Sequence, residues 1–198
     1  MDEVASKDAD RRLDVLDAAL GTFTRLGYRK TSMDDIAKEA RISRPGLYFL
    51  FSSKSNLFRE AAERGVGLDL AAAEEALTAS DGLASERIIE AFDAWAGRYI
   101  GPMNDTTTVI AENPELLGPV ALGGPRRFEA ALFKALEGTP LSEHATAAAR
   151  TLVSLSLGVK HQSATRDEYR ARMTDAVRLL LPPDGVEIRR QHTERVQL

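Results

Sequence analysis

Thr31-Ser32-Met33-Asp34-Asp35-Ile36-Ala37-Lys38-Glu39-Ala40-Arg41-Ile42-Ser43-Arg44-Pro45-Gly46-Leu47-Tyr48-Phe49-Leu50-Phe51 is the stretch that decides the architecture. Ser32 precedes the apolar-periodic run and an acid follows it three residues later. This is a capping box with Asp in place of Glu, and it predicts a short helix over about 33–40. Arg41-Ile42-Ser43 breaks the pattern. Ser43 is a natural N-cap, and Pro45 fits only the first turn of the helix that follows, which spans two turns and reaches about Leu50. Ile36, Ala37, Ala40, Leu47 and Phe51 are the apolar positions expected to form a small core that fixes the angle between these two helices.

Upstream, Leu13, Leu16, Leu20 and Phe23 recur at helical spacing, which predicts a helix over about 8–26 with Gly27 as its C-terminal cap. Downstream, Ser52-Ser53 offers another N-cap, and Leu57, Phe58, Ala61 and Leu68 carry a fourth helix toward Leu77, weakened in the middle by Gly65 and Gly67. Further helices are expected at about 84–101, 104–112, 120–137, 142–164 and 166–181, separated by Gly, Pro and Asn. No segment alternates like a strand. The fold class is all-α, with an N-terminal three-helix helix-turn-helix domain over 9–69 (motif about 32–51). A C-terminal helical domain follows over 70–183, and a loose polar tail over 184–198.

With 198 residues and an apolar fraction of 43%, the chain can bury a real core. It has no cysteine, which excludes disulfides, thiolate chemistry and sulfur-bound metal. Met1–Arg12 is acidic and polar with no apolar h-region, and no stretch approaches a membrane helix, so a cytoplasmic protein is expected. The net charge of −4 argues at first against nucleic acid, but the distribution is uneven. Residues 25–59 hold eight basic side chains against three acidic ones, and the rest of the chain holds 18 against 27. A basic N-terminal segment on an acidic remainder fits a local phosphate-binding face.

The residues quoted above, with Gly27-Tyr28 before them and Lys54, Leu57 and Phe58 after, closely resemble the DNA-binding domain of the TetR family of transcriptional regulators over about residues 9–69. The resemblance implies a double-stranded operator as partner and a DNA-contacting set of Thr31, Ser32, Ser43, Arg44, Pro45, Gly46, Tyr48, Phe49 and Lys54. Each has a physical job. Arg44, in the first turn of the recognition helix, can pair bidentately with guanine O6 and N7. Ser43 caps that helix and can donate to phosphate. Gly46 allows close approach of the backbone, and Tyr48 offers a phenol donor and a flat face to the sugar-phosphate chain. Phe49 beside it either packs or touches DNA. Thr31 and Ser32 stand where free helix amides favour an anion, and Ser32 also serves as a cap. Lys54 is a cation in the first turn of a helix, which the helix dipole disfavours, and a bound phosphate would supply the reason for it. Three positions depart from the family pattern. Arg41 stands where glycine is usual, so a positive φ or an altered turn is expected, at a cost of order 1 kcal/mol. Pro45 disfavours the α conformation for Arg44. Leu50 replaces a frequent histidine, which removes one phosphate contact.

In the remainder, Phe92, Trp95, Tyr99, Met103, Ile110 and Phe128 are candidates for an apolar pocket, the alternative being plain core packing. The resemblance implies a homodimer in which the last two helices build a four-helix bundle with a second copy. Leu152, Leu155, Val159, Tyr169, Met173, Val177 and Leu180 are the residues expected at that interface. The expected function is a ligand-responsive regulator, a repressor released from a palindromic operator by a small apolar or amphipathic effector. No enzyme, cofactor or metal is expected: the three histidines, His144, His161 and His192, lack metal-ligand spacing, and neither a nucleophile elbow nor a phosphate-cradling loop occurs. A protein-binding module with a vestigial N-terminal fold is the competing reading, carried by Arg41, Pro45 and Leu50.

Overall fold

The structure is a computed structural model that describes residues 2–100 and 116–181. Among these, eight α-helices follow one another with no strand: α1 (Asp2–Leu26), α2 (Met33–Glu39), α3 (Arg44–Leu50), α4 (Lys54–Thr78), α5 (Ala84–Ala96), α6 (Pro119–Glu137), α7 (Ala145–Gln162) and α8 (Arg166–Leu180). The expected helix over 84–101 gives way at Gly97–Tyr99 to a 3₁₀ turn, and another 3₁₀ turn, Ser142–His144, precedes α7. The helix expected over 104–112 and the tail over 184–198 lie outside the described residues.

Local chemistry sets the ends of the first elements. Gly27 closes α1 at φ 80°, its N–H donating to the Phe23 carbonyl at 2.8 Å. Ser32 Oγ accepts from the Asp35 N–H at 3.1 Å while Asp35 Oδ2 accepts from the Ser32 N–H at 2.9 Å, which completes the capping box. The two Ser32 hydrogen bonds hold the Asp35 carboxyl below its ordinary pKa. At the other end of α2, Arg41 adopts φ 54°. Its N–H donates to Lys38 at 3.1 Å and the Ile42 N–H to Ala37 at 3.0 Å, the paired bonds of a Schellman cap. The turn usually supplied by glycine is therefore kept, with a strained arginine in it. Ser43 caps α3 through the Gly46 N–H at 3.1 Å, and Pro45 falls in the first turn, where its missing N–H is not needed.

Two apolar cores share α4. The first gathers Val15, Leu16, Leu20 and Phe23 of α1, Ile36 and Ala37 of α2, Leu47 of α3, Phe51, and Leu57, Phe58 and Ala61 of α4. Ala40 packs partly buried against it, so the expected inter-helix core is present. The second joins Leu70, Ala73 and Leu77 of α4 to Phe92, Phe128, Leu132, Leu152, Tyr169, Met173 and Val177. Gly65 lies between the two: a Cβ there would stand 2.8 Å from a Leu20 methyl, so the residue that weakens α4 by propensity is the one that lets α1 cross it closely. A bidentate pair from Arg64 to Asp17, at 2.6 and 2.8 Å, fastens the same crossing.

Asp93 ties α5 to α8. It accepts from Arg166 Nε and Nη2 at 2.9 and 2.8 Å and from Arg170 Nη1 at 3.0 Å, while Arg170 also pairs with Glu90. Burial by itself would raise the Asp93 pKa, but the two guanidiniums outweigh it and the carboxyl is held below its ordinary value.

The helical bundle divides the expected dimer residues between its interior and its surface. Leu152, Val159, Tyr169, Met173 and Val177 are buried in the chain's own second core, and only Leu155 and Leu180, each 37% exposed, face outward. An amphipathic helix turns its most apolar stripe toward its own protomer, so a choice made by apolarity selects that side. Leu179, at 78% exposure, and the Ala147, Thr151, Ser154 and Gly158 row around Leu155 form the outward face of α7 and α8.

Candidate nucleic-acid interface and adjoining cavity

The seven-residue α3 sits on Leu47, which is fully buried, and shows its other side to solvent. Its outward residues are those expected from the sequence: Arg44, Pro45, Tyr48 at 44% exposure and Phe49 at 89%. Burying a phenylalanine side chain is worth roughly 1.5–3 kcal/mol, and Phe49 forgoes nearly all of it. Arg44 Nη1 lies 3.2 Å from Asp34 Oδ2 of α2, and its guanidinium stands 5.7 Å from the Tyr48 ring centre. Both partners of that pair are exposed, so the contact is weak and readily exchanged for another anion. Gly46 leaves little room: a Cβ would stand 3.1 Å from Ser43 Oγ, the atom that caps the helix.

Thr31 and Lys54 have internal partners instead. Thr31 is buried and its hydroxyl donates to the Gly27 carbonyl at 2.8 Å, so its side chain belongs to the turn between α1 and α2. Ser32, though exposed, commits its hydroxyl to Asp35 at 2.6 Å. Lys54 Nζ donates to the carbonyls of Tyr28 at 2.8 Å and Thr31 at 2.9 Å and lies 4.4 Å from the centre of the Tyr28 ring. Partial burial lowers its pKa. The cation at the start of α4 thus has an intramolecular reason to be there, and the phosphate inferred from the helix dipole is not needed to explain it. Through Lys54, α4 holds the carbonyls of the turn that leads into α2.

The sequence reading missed Arg12. Its Nη1 donates to the Leu50 carbonyl at 2.7 Å, capping the C-terminus of α3 from α1, while Nη2 pairs with Glu60 of α4 at 2.5 Å. The same guanidinium lies 4.2 Å from the Phe51 ring centre. One side chain therefore joins α1, α3 and α4 and fixes the tilt of the exposed helix. The position where a histidine is frequent in the family, Leu50, serves here through its backbone oxygen.

Behind this surface lies a cavity of about 270 Å³ between the two cores. Four of the aromatic residues proposed from sequence, Phe92, Trp95, Tyr99 and Phe128, line it, with the Trp95 and Phe128 rings stacked at 5.2 Å. Met103 and Ile110 lie outside the described residues. Leu20, Phe23, Phe58 and Ala61, all members of the N-terminal core, form the opposite wall. Among the described residues no group of three His, Asp or Glu side chains is placed to hold a metal ion, and no helix is long and apolar enough to cross a membrane.

A helix-turn-helix unit with an exposed second helix, joined through one long helix to a helical domain, is the class that this geometry defines. Residues 15–61 match the family model of bacterial regulatory proteins, tetR family, so the helix-turn-helix segment is similar to that family's. The chain is 39% identical over 56 residues to the uncharacterized HTH-type transcriptional regulator YfiR of Bacillus subtilis, covering 28% of this chain and 27% of that one. It is 35% identical over 49 residues to IcaR of Staphylococcus aureus, named as the HTH-type negative transcriptional regulator of a biofilm operon, covering 25% and 26%. The matched stretch thus spans about a quarter of the length of these curated relatives. In three dimensions the likeness extends further. A crystal structure of a TetR-family transcriptional regulator from Mesorhizobium loti superposes with a TM-score of 0.66 at 18% identity, over 87% of this chain and 96% of that one, which establishes the shared fold.

Proposed function

We propose that this chain is a ligand-responsive transcriptional repressor that binds a palindromic operator as a homodimer. The observation that carries the reading is the outward face of α3: Arg44, Tyr48 and Phe49 are exposed together on a helix whose other side is locked by Leu47 and Arg12. Folding gains nothing from that exposure, whereas a major groove accommodates it, with Arg44 moving from Asp34 to a guanine edge and Phe49 against a thymine methyl. Ser43, Pro45 and Gly46 bring the backbone close to phosphate, and Lys54 and Thr31 act one step back by holding the α1–α2 turn. Repression is favoured by the negative regulator named among the relatives.

The outward face of α7 and α8, with Leu155, Leu179 and Leu180 beside small residues, suits a two-fold helical bundle with a second copy. Such a dimer places its recognition helices about 34–36 Å apart, one turn of B-DNA. An effector in the cavity would press on Leu20, Phe23 and Phe58, which also support α2 and α3, and so would favour a dimer whose helices no longer match that spacing.

The test is selection of bound sequences from a random duplex pool, followed by a salt series with Arg44→Ala and Phe49→Ala. A recovered palindrome is expected. Arg44→Ala should relax its sequence preference, and Phe49→Ala should weaken binding roughly tenfold while leaving the unfolding midpoint in place. If no sequence is enriched with the folded wild-type chain, the proposal fails.

A further inference from the structure

The cavity between the two cores is lined mainly by apolar side chains, with the Tyr99 and Ser156 hydroxyls and one charge among them. Among its lining residues the single charged side chain is Lys160, on the last turn of α7, whose ammonium stands 5.2 Å from the centre of the Tyr99 ring. Other cations that reach inward have oxygen partners: Lys54 has two carbonyls, and Arg166 and Arg170 have Asp93. Lys160 has no such partner among the described residues, and desolvation is the one influence on its pKa, which it lowers. The neighbouring hydroxyls are already engaged, Tyr99 donating to Asp69 at 2.5 Å and Ser156 sharing a hydrogen bond with Tyr169 at 2.7 Å. A part-buried ammonium facing an apolar space is costly, and the π face of Tyr99 compensates it only in part. An anion arriving with its own apolar body would meet both the charge and the walls.

We propose that the cavity takes a small amphipathic carboxylic acid, its carboxylate paired with Lys160 and its apolar body against the stacked Trp95 and Phe128. The inference rests on reading this cavity as the effector site. The volume, about 270 Å³, lies just below the roughly 300–1,000 Å³ common for ligand sites, which restricts the occupant to a compact or short-chain acid.

Trp95 is the chain's single tryptophan, so its emission reports occupancy of the cavity directly. Octanoate and cyclohexaneacetate, each beside the alcohol of the same apolar body, are titrated into the full-length wild type, Lys160→Met and Lys160→Arg. Each acid is expected to bind the wild type and Lys160→Arg about tenfold or more tightly than its alcohol, the size of one charge-assisted hydrogen bond. Lys160→Met should bring that ratio close to one while still binding the alcohols, which also shows that its cavity is intact. No response of Trp95 to either acid, equal binding of acid and alcohol by the wild type, or a preference that survives in Lys160→Met overturns the proposal. Operator affinity is measured on the same samples. An acid bound through Lys160 that leaves operator affinity unchanged upholds the anion site and refutes the effector role.

Discussion

Replacing Lys54 with methionine tests whether that cation is part of the fold. The variant keeps an unbranched stem over Tyr28 and removes the hydrogen bonds to the carbonyls of Tyr28 and Thr31, at 2.8 and 2.9 Å. A hydrogen bond from a charged group contributes roughly 1.5–3 kcal/mol net, so two set an upper bound of about 6 kcal/mol. Desolvation of the ammonium, visible in its lowered pKa, takes back a share. The site is part-buried, so water reaches the abandoned carbonyls and takes back more. The expected loss is about 2 kcal/mol, read from urea denaturation followed by circular dichroism. The slope of operator affinity against salt should be unchanged, because the ammonium faces the turn. A stability change under about 0.5 kcal/mol, joined to a salt slope shallower by about one, would place the ammonium on phosphate and refute the reasoning.

Arg41→Gly relieves a side chain held at φ 54° in a Schellman turn whose hydrogen bonds are all backbone. Even after the greater unfolded-state entropy of glycine it should stabilise by about 0.5–1 kcal/mol, seen as a thermal midpoint a few degrees higher; a lower midpoint would contradict the strain. For Asp93 the sign follows from a depressed folded pKa: its stabilising contribution is present above the ordinary aspartate pKa of about 3.9 and is lost as pH falls through the lower folded value. Thermal midpoints of wild type and Asp93→Asn should therefore differ near neutrality and converge in acid, and parallel curves across the pH range would count against the network.

The parts of the fold that could be read from sequence are those decided within a few residues. Ser32 with Asp35, Ser43, Ser53 and Gly27 each satisfy backbone groups no more than four positions away, and the helices start or stop at them. Even the departure at Arg41 was legible, because the turn demands a left-handed residue whatever occupies it. Arg12 was not, since its partners Leu50 and Glu60 stand 38 and 48 residues along the chain and an arginine in a polar run carries no signal of them. Lys54 gave an anomaly but not its internal partners, because the carbonyls it bonds lie 23 and 26 residues away. Which side of α7 and α8 faces outward was not legible for a different reason: periodicity identifies the apolar side of a helix and cannot tell the protomer's own core from a contact with a second copy.

Helix α4 runs uninterrupted from Lys54 to Thr78 and is embedded at its far end by Leu70, Ala73 and Leu77, which makes it a lever. From Ala73 to Lys54 is about 28 Å of rod at 1.5 Å per residue, so tilting it by about 6° carries the Lys54 end through about 3 Å. Phe58, Ala61, Ala62 and Val66, which line the cavity, stand along that arm between pivot and tip. Displacement imposed there is geared up before it arrives at α3, and in the proposed dimer two-fold symmetry would double it again, since both arms would swing. Repulsion of a single methyl group is on a scale of ångströms, and so is the mismatch that a pair of grooves will not tolerate; the length of α4 makes the two commensurate.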